Sequence, residues 1–262
     1  MQQFLDFSHN EGVPPIKDYI PPRECHRGAS SDFFDPINRF PVPKCNYDEF
    51  SAIQYFIFGN NYSTSNPTCS SFNIKCDNFD MDNTLVVHLR SGDVFSPGGG
   101  HENYKQPPVA FYQFIFRSRK WSKILFITSL EPPEHWNPVW TYFLNETNRL
   151  NSFIDPKAIV SFQMSSNVQE DLLKLWCARF YVAPFSTFSL MMIYIAPYLK
   201  EFYISGMGDC KSIDHSPSVT CHHLLLNNYH MFHSGKWSNS PEQREVMITF
   251  PLVDVTEDTT SH

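Results

Sequence analysis

Within six positions, His88-Leu89-Arg90-Ser91-Gly92-Asp93 brings together an imidazole, a guanidinium, a glycine and a carboxylate. Arginine offers a planar fork of donors that suits phosphate oxygens, and glycine lets a backbone amide approach a ligand closely. If the chain is extended up to this loop, the two-residue period puts His88 and Arg90 on one face, where both address a single ligand. The same residues have a second reading, in which Arg90 and Asp93 form an ion pair that closes a turn and His88 is a hydrogen-bonded core residue. Further along, Pro184-Phe185-Ser186-Thr187-Phe188-Ser189 reads as the junction of a strand and a helix. Backbone N–H groups at a helix start attract phosphate, and hydroxyls add donors; the plainer reading makes Ser186 or Thr187 an ordinary N-cap. Arg90 and this helix start are in position to converge on one diphosphate if the fold places both loops at the same end of a sheet.

The elements between them follow the pattern that would do so. From Thr84 to Ile204, β-branched and aromatic runs alternate with helix-like segments, which predicts a parallel sheet covered by helices. Strands are expected at Thr84–Leu89, Ile124–Thr128, Ala158–Phe162, Phe180–Ala183 and Phe202–Ile204. Helices are expected after Pro107-Pro108 with a body over Val109–Phe116, from Pro138 to Arg149, after an Asn167 cap with Glu170 three residues on, and over Thr187–Ile195. Val168, Leu172, Leu175 and Trp176 fall at helical spacing on one buried face. In such a sheet ligands bind beyond the carboxyl ends of the strands, so the loops after Leu89, Thr128, Phe162 and Ala183 are the places to search. Residues 1–80, rich in Pro, Asn, Ser, Asp and Cys, read as loops and short elements, and the stretch beyond Gly206 shows no clear periodicity.

The 262 residues carry 20 Lys and Arg against 27 Asp and Glu, a net −7, with 24 Phe and 12 Tyr among 42% hydrophobic residues. That is a globular composition with aromatic packing, and its acidity argues against a broad nucleic-acid footprint. The densest basic run, Arg117-Ser118-Arg119-Lys120, ends an apolar stretch where cations complement the negative end of a helix. Seven cysteines, at 25, 45, 69, 76, 177, 210 and 221, include no CxxC pair and no zinc spacing, so no metal is expected. Sequons at Asn61 and Asn145 make disulfides in an oxidising lumen a reading of the same cysteines. The start, Met1–Asp6, lacks a signal-peptide pattern, and no apolar run is long enough for a membrane span; the richest is Leu190–Ala196. The expected location is the lumen of the secretory pathway, Golgi or ER, if an anchor is missing from this sequence, and otherwise the cytoplasm. A dinucleotide oxidoreductase is disfavoured, since no GxGxxG follows a strand and Gly98-Gly99-Gly100 lies mid-loop.

Taken in order, His88-Leu89-Arg90-Ser91-Gly92-Asp93, Tyr104-Lys105-Gln106-Pro107-Pro108, Glu170-Asp171-Leu172 and Ser186-Thr187-Phe188-Ser189 resemble the donor-binding half of the α1,2-, α1,6- and protein O-fucosyltransferase superfamily. Those enzymes carry an HxRxxD or HxRxGD motif, an acidic residue in a later helix and an STFS-like turn. The resemblance covers roughly residues 82 to 205. It departs from the family at Ser91, where many relatives have a second Arg, and at Leu190 and Met191, where some have aromatic residues.

The resemblance implies an α/β, GT-B-like glycosyltransferase: a Rossmann-like parallel-sheet half over 81–210, a short irregular N-terminal part over 1–80 that reads as an incomplete acceptor-side domain, and a C-terminal extension over 211–262. It implies fucose transfer from GDP-fucose to a glycan or protein hydroxyl with inversion, without a metal or other cofactor. By that resemblance Arg90 binds the β-phosphate and stabilises the departing GDP, His88 and Gly92 help seat the nucleotide, Asp171 contacts the nucleoside, and Ser186, Thr187 and Ser189 hold the diphosphate or sugar. Asp93 is the candidate base for the acceptor hydroxyl, with His101 and Glu102 behind it. The expected partners are a nucleotide-sugar donor and a glycan or glycoprotein acceptor. The alternative is a catalytically silent relative that keeps a nucleotide or glycan pocket, which the short N-terminal part keeps open.

Overall fold

In the computed structural model the chain divides into two units, residues 1–76 and 77–262. The residues described are 76, 82–96, 106–146, 153–165, 168–184, 186–205, 210–213, 218–229 and 239–259. All but Cys76 belong to the second unit, which is α/β and built on a mostly parallel seven-stranded sheet.

Its strands are β1 (Thr84–His88), β2 (Lys123–Ser129), β3 (Ile159–Ser165), β4 (Phe180–Val182), β5 (Glu201–Ile204), β6 (Thr220–Leu226) and β7 (Val255–Glu257). The helices among the described residues are α1 (Val109–Ser118), α2 (Pro138–Asn145), α3 (Val168–Cys177), α4 (Thr187–Ile195) and α5 (Pro241–Thr249). The sheet order is β3-β2-β1-β4-β5-β6-β7, with every neighbouring pair parallel except β6 and β7. This order, with the chain running outward from β1 to β3 and then crossing back to β4, is compatible with a Rossmann-like fold.

The order also explains the layers. Strand–helix–strand crossovers are right-handed, so helices that carry the chain in opposite directions along the sheet lie on opposite faces. Leu85, Val87 and Leu89 of the β1 region join one core cluster with Val109, Phe111 and Ile115 of α1, Val139 and Phe143 of α2 and Met247 of α5. The alternate residue Val86 is equally buried but lies outside that cluster, as do Tyr181, Phe202 and Ile204. That second face is covered by α3 and α4, which pack against each other. Alternation of core membership along one strand is what a sheet covered on both faces requires.

The expected strands and helices up to Ile204 are present with shifted ends. Helix α2 stops at Asn145 rather than Arg149, because Glu146 leaves the helical region at φ −105° and ψ 31°. The Asn167 cap and Gly98–Gly100 lie outside the described residues. Arg119 follows α1 and reaches Glu201 at 3.1 Å, with its guanidinium over the rings of Trp121 and Phe180.

The stretch beyond Gly206 differs most from the reading of the sequence. It supplies two strands to the same sheet and a helix, α5, that packs against α1 and α2. In β6, Thr220, His222 and His223 interrupt the apolar pattern, but His222 Nδ1 lies 2.6 Å from Glu257 and His223 Nδ1 lies 3.2 Å from Asp258. A disulfide joins Cys210 to Cys221 of β6. Helix α5 opens with a capping box between Ser240 and Gln243.

Candidate active site

Strand β1 ends at His88, and the chain leaves the sheet through Arg90, Ser91 and a turn of 3-10 helix at Gly92–Phe95. Gly92 has φ +76°, a conformation that an L side chain adopts only with strain, and a Cβ there would lie 2.6 Å from Glu131 Oε1. Ser91 is buried, and its Oγ accepts from the Thr128 hydroxyl at 2.8 Å and from the Asn137 N–H at 3.2 Å. Asn137 also donates through Nδ2 to the Arg90 carbonyl at 3.0 Å, while its Oδ1 accepts from Val139 N–H and so caps α2. The loop is thereby clamped between the end of β2 and the start of α2. The enclosed position of Ser91 has a clear consequence: a long arginine side chain there would have to displace Thr128 and Asn137.

With that clamp in place, Arg90 Nη2 pairs with Asp93 Oδ2 at 2.7 Å and Nε reaches Oδ1 at 3.4 Å. The Asp93 side chain is 66% exposed and that of Arg90 20%. The turn-closing ion pair is therefore formed, and an exposed pair of this kind is weak enough to yield to a phosphate.

The second loop reaches the same place from the other side of the sheet's centre. Ser186 caps α4, its Oγ accepting from Ser189 N–H at 3.1 Å and lying 2.8 Å from Ser189 Oγ. Thr187 is the first residue of the helix. Phe188 presents its ring to His88 edge to face at 5.3 Å, and Tyr181 of β4 brings its hydroxyl within 3.4 Å of His88 Nδ1. Strands β1 and β4 are the neighbours at which the strand order reverses, so His88, Ser186 and Ser189 gather at the crevice where open α/β sheets bind ligands. Burial, and secondarily the Arg90 guanidinium, holds the His88 pKa down at about 4, so its ring is neutral at pH 7.

Asp171 sits apart from this group, in the first turn of α3 beside the edge strand β3, where Gln163 Nε2 donates to its Oδ1 at 3.2 Å. Gln163 also bonds Lys174 through its Oε1. Burial pushes the Asp171 pKa up to about 6, against the pull of Lys174 and the Gln163 bond. A carboxylate that titrates near neutrality is a recognisable feature of ligand sites. His101, Glu102, Tyr104 and Lys105 lie outside the described residues.

Several contributors were not singled out from sequence. Tyr181 reads as one more aromatic in an apolar strand, and Thr128 as the polar end of another. Asn137 before Pro138 is an N-cap signal in the sequence, though its reach to the Arg90 carbonyl is not. Arg244 of α5 donates to Asn239 Oδ1 at 2.8 Å and to the carbonyls of Glu134 and Trp136 at 3.0 and 3.1 Å, so the last helix holds the loop that carries Glu131 and Asn137. No sequence pattern signals that.

Among the described residues no cluster of three or more His, Cys, Asp or Glu suits a metal ion, and no helix is long and apolar enough to cross a membrane. Compared with protein-family models, with curated proteins and with solved structures, the chain gives no match.

Proposed function

We propose that the second unit binds a nucleoside-diphosphate sugar, GDP-fucose by the motif resemblance, in the crevice between β1 and β4, and that the protein is an inverting GT-B-type fucosyltransferase acting on a glycan or protein hydroxyl. One observation carries this reading: the His88–Asp93 loop and the Ser186–Ser189 helix start, far apart in sequence, meet at the strand-order reversal through the contacts of His88 with Tyr181 and Phe188. A guanidinium, a neutral imidazole and the positive end of a nine-residue helix are then grouped where a diphosphate would lie.

Arg90 leaves Asp93 for the diphosphate and offsets the negative charge that develops as the sugar–phosphate bond breaks. Asp93, released from its ion pair and open to solvent, accepts the proton of the acceptor hydroxyl. Asp171 accepts from the nucleobase or ribose. The Cys210–Cys221 disulfide supports a location in an oxidising lumen.

The resting Arg90–Asp93 pair favours a second reading, a binding module without turnover, since the proposed base is already engaged by the proposed phosphate ligand. Calorimetry without added metal, using GDP, GDP-fucose and UDP on wild type and Arg90→Ala, tests the shared part of both. GDP-selective binding lost in Arg90→Ala supports a donor site; a folded protein that binds none of them overturns it. Asp93→Asn then divides the readings. An enzyme loses transfer while GDP affinity is retained, whereas equal loss of both rejects Asp93 as the base.

A further inference from the structure

Of the two sequons in the chain, Asn145-Glu146-Thr147 begins on a described element, and the function proposed above makes no use of it. A triplet of this kind is an acceptor pattern; whether the fold can carry a glycan there is decided by the surroundings of the asparagine. Asn145 is the last residue of α2, and it is exposed. Glu146 follows at φ −105° and ψ 31°, its N–H donating to the Tyr142 carbonyl, so the chain leaves the helix directly after the asparagine. Among the described residues no hydrogen bond engages the Asn145 carboxamide. Other asparagines are committed: Nδ2 of Asn137 donates to the Arg90 carbonyl, that of Asn227 to the Thr256 hydroxyl at 3.2 Å, and that of Asn239 to the Phe95 carbonyl. Helix α2 thus begins beside a buried, fully used asparagine and ends on an exposed, unused one. Eight residues at 1.5 Å rise put about 12 Å between its ends. Because α2 leads from the carboxyl end of β2 back to the start of β3, Asn145 lies at the end of the sheet opposite the loops of the candidate site.

We propose that Asn145 is a modification site, an acceptor of an N-linked oligosaccharide delivered from a lipid-linked diphosphate by a transferase of the secretory pathway. In that transfer Nδ2 forms a bond to the anomeric carbon of the first sugar and the bond from that carbon to the phosphate oxygen breaks. The lipid diphosphate departs with the electron pair, and a base of the transferase takes the Nδ2 proton. An oligosaccharide is densely hydroxylated, and burying those hydroxyls without partners is costly, so an acceptor asparagine must hold its glycan in water after folding. Asn145 meets that condition. No hydrogen bond of the fold is broken by the substitution on Nδ2, and a glycan at this end of α2 leaves the crevice between β1 and β4 open. The Cys210–Cys221 disulfide belongs to the same oxidising surroundings in which this modification is made. The proposal stands apart from the nucleotide reading, since an enzyme and a silent relative would carry the same glycan.

The test uses the protein purified from its own cells, treated with peptide N-glycosidase in ¹⁸O-labelled water, digested and mapped by mass spectrometry. The glycosidase hydrolyses the glycan-bearing amide with solvent oxygen, so the peptide that contains Asn145 should be recovered with an aspartate carrying one ¹⁸O at that position. Mapping the peptide separates this signal from any glycan at Asn61. Re-expressed in the same cells, Asn145→Gln should lose the mass of one glycan. Thr147→Ala, which leaves the asparagine in place and removes only the hydroxyl of the sequon, should lose the same mass, and Thr147→Ser should retain it. A peptide recovered from wild type with Asn145 unmodified, or a Thr147→Ala protein that keeps its full mass, overturns the proposal.

Discussion

The ring of His88, at the carboxyl end of β1, meets the ring of Phe188, in the first turn of α4, edge to face with centroids 5.3 Å apart. That contact bridges the two strands between which the sheet reverses its order, so the loop after β1 and the loop after β4 form one site. What holds each loop in its half of the site is open to separate experiments.

Gly92 combines a φ of +76° with a Cβ position 2.6 Å from Glu131 Oε1. Gly92→Ala should lower stability by about 1–2 kcal/mol through the left-handed backbone alone, and should weaken nucleotide binding by displacing the turn after Arg90. Adding Glu131→Ala should relieve the contact but not the backbone strain, so the double variant should remain less stable than Glu131→Ala in urea unfolding. Equal midpoints for those two proteins would show that the turn tolerates a side chain.

Ser91 gathers donors from Thr128 and Asn137 inside the protein. Ser91→Ala leaves both without that acceptor, with an expected cost of about 1–3 kcal/mol by chemical denaturation. Ser91→Arg, which forces a long cation into this enclosed position, should be worse than Ser91→Ala. A Ser91→Arg protein as stable as wild type would mean the loop opens more easily than its hydrogen bonds suggest.

Burial depresses His88 from 6.5 to about 4, so between those values the unfolded chain binds more protons than the folded one. Stability should therefore decline as pH falls through 6.5, levelling near 4, with an upper bound of about 3 kcal/mol for this group. Unfolding free energies measured from pH 7.5 to 4 should show a slope that His88→Gln reduces. The same slope in both proteins would assign the decline to other groups.

Asp171 works in the opposite sense. Its pKa is raised from 3.8 to about 6, so the folded state holds the proton more tightly and stability from this group is lost as pH rises through 6. Asp171→Asn should be more stable than wild type at pH 7.5. It should also bind GDP more weakly there if the carboxylate accepts from the nucleoside, and wild-type affinity should fall as pH drops below 6 while that of Asp171→Asn stays flat. Parallel pH profiles for the two proteins would remove Asp171 from the site.

Arg244 reaches the site through the loop it braces and through Phe95 of the Gly92–Phe95 turn, whose ring its guanidinium faces at 5.7 Å. Arg244→Met should speed amide hydrogen exchange across residues 131–137 and weaken nucleotide binding severalfold, although no ligand contact is removed. Unchanged exchange in that segment would show the loop to be held by Asn137 and Ser91 alone.

From its residues alone this chain specifies the alternation of strands and helices from Thr84 to Ile204, because apolar runs of strand length and helical spacing are local properties. The chemical character of the two loops is legible in the same way, since His88, Arg90, Gly92 and Ser186 advertise themselves by type and position. The tertiary structure decided the rest. Strand order is a non-local property, and it alone makes the loops after β1 and β4 neighbours while leaving Asp171 beside the edge strand. β6 is hidden in sequence because its histidines look like breaks until Glu257 and Asp258 come to pair with them, and α5 because its role lies in what Arg244 reaches. Tyr181 is the sharpest case: as a residue type it belongs to an apolar core, and only the pairing of β4 with β1 brings its hydroxyl to the His88 imidazole. Burial creates that role, because a hydroxyl removed from water must find its partner within the protein.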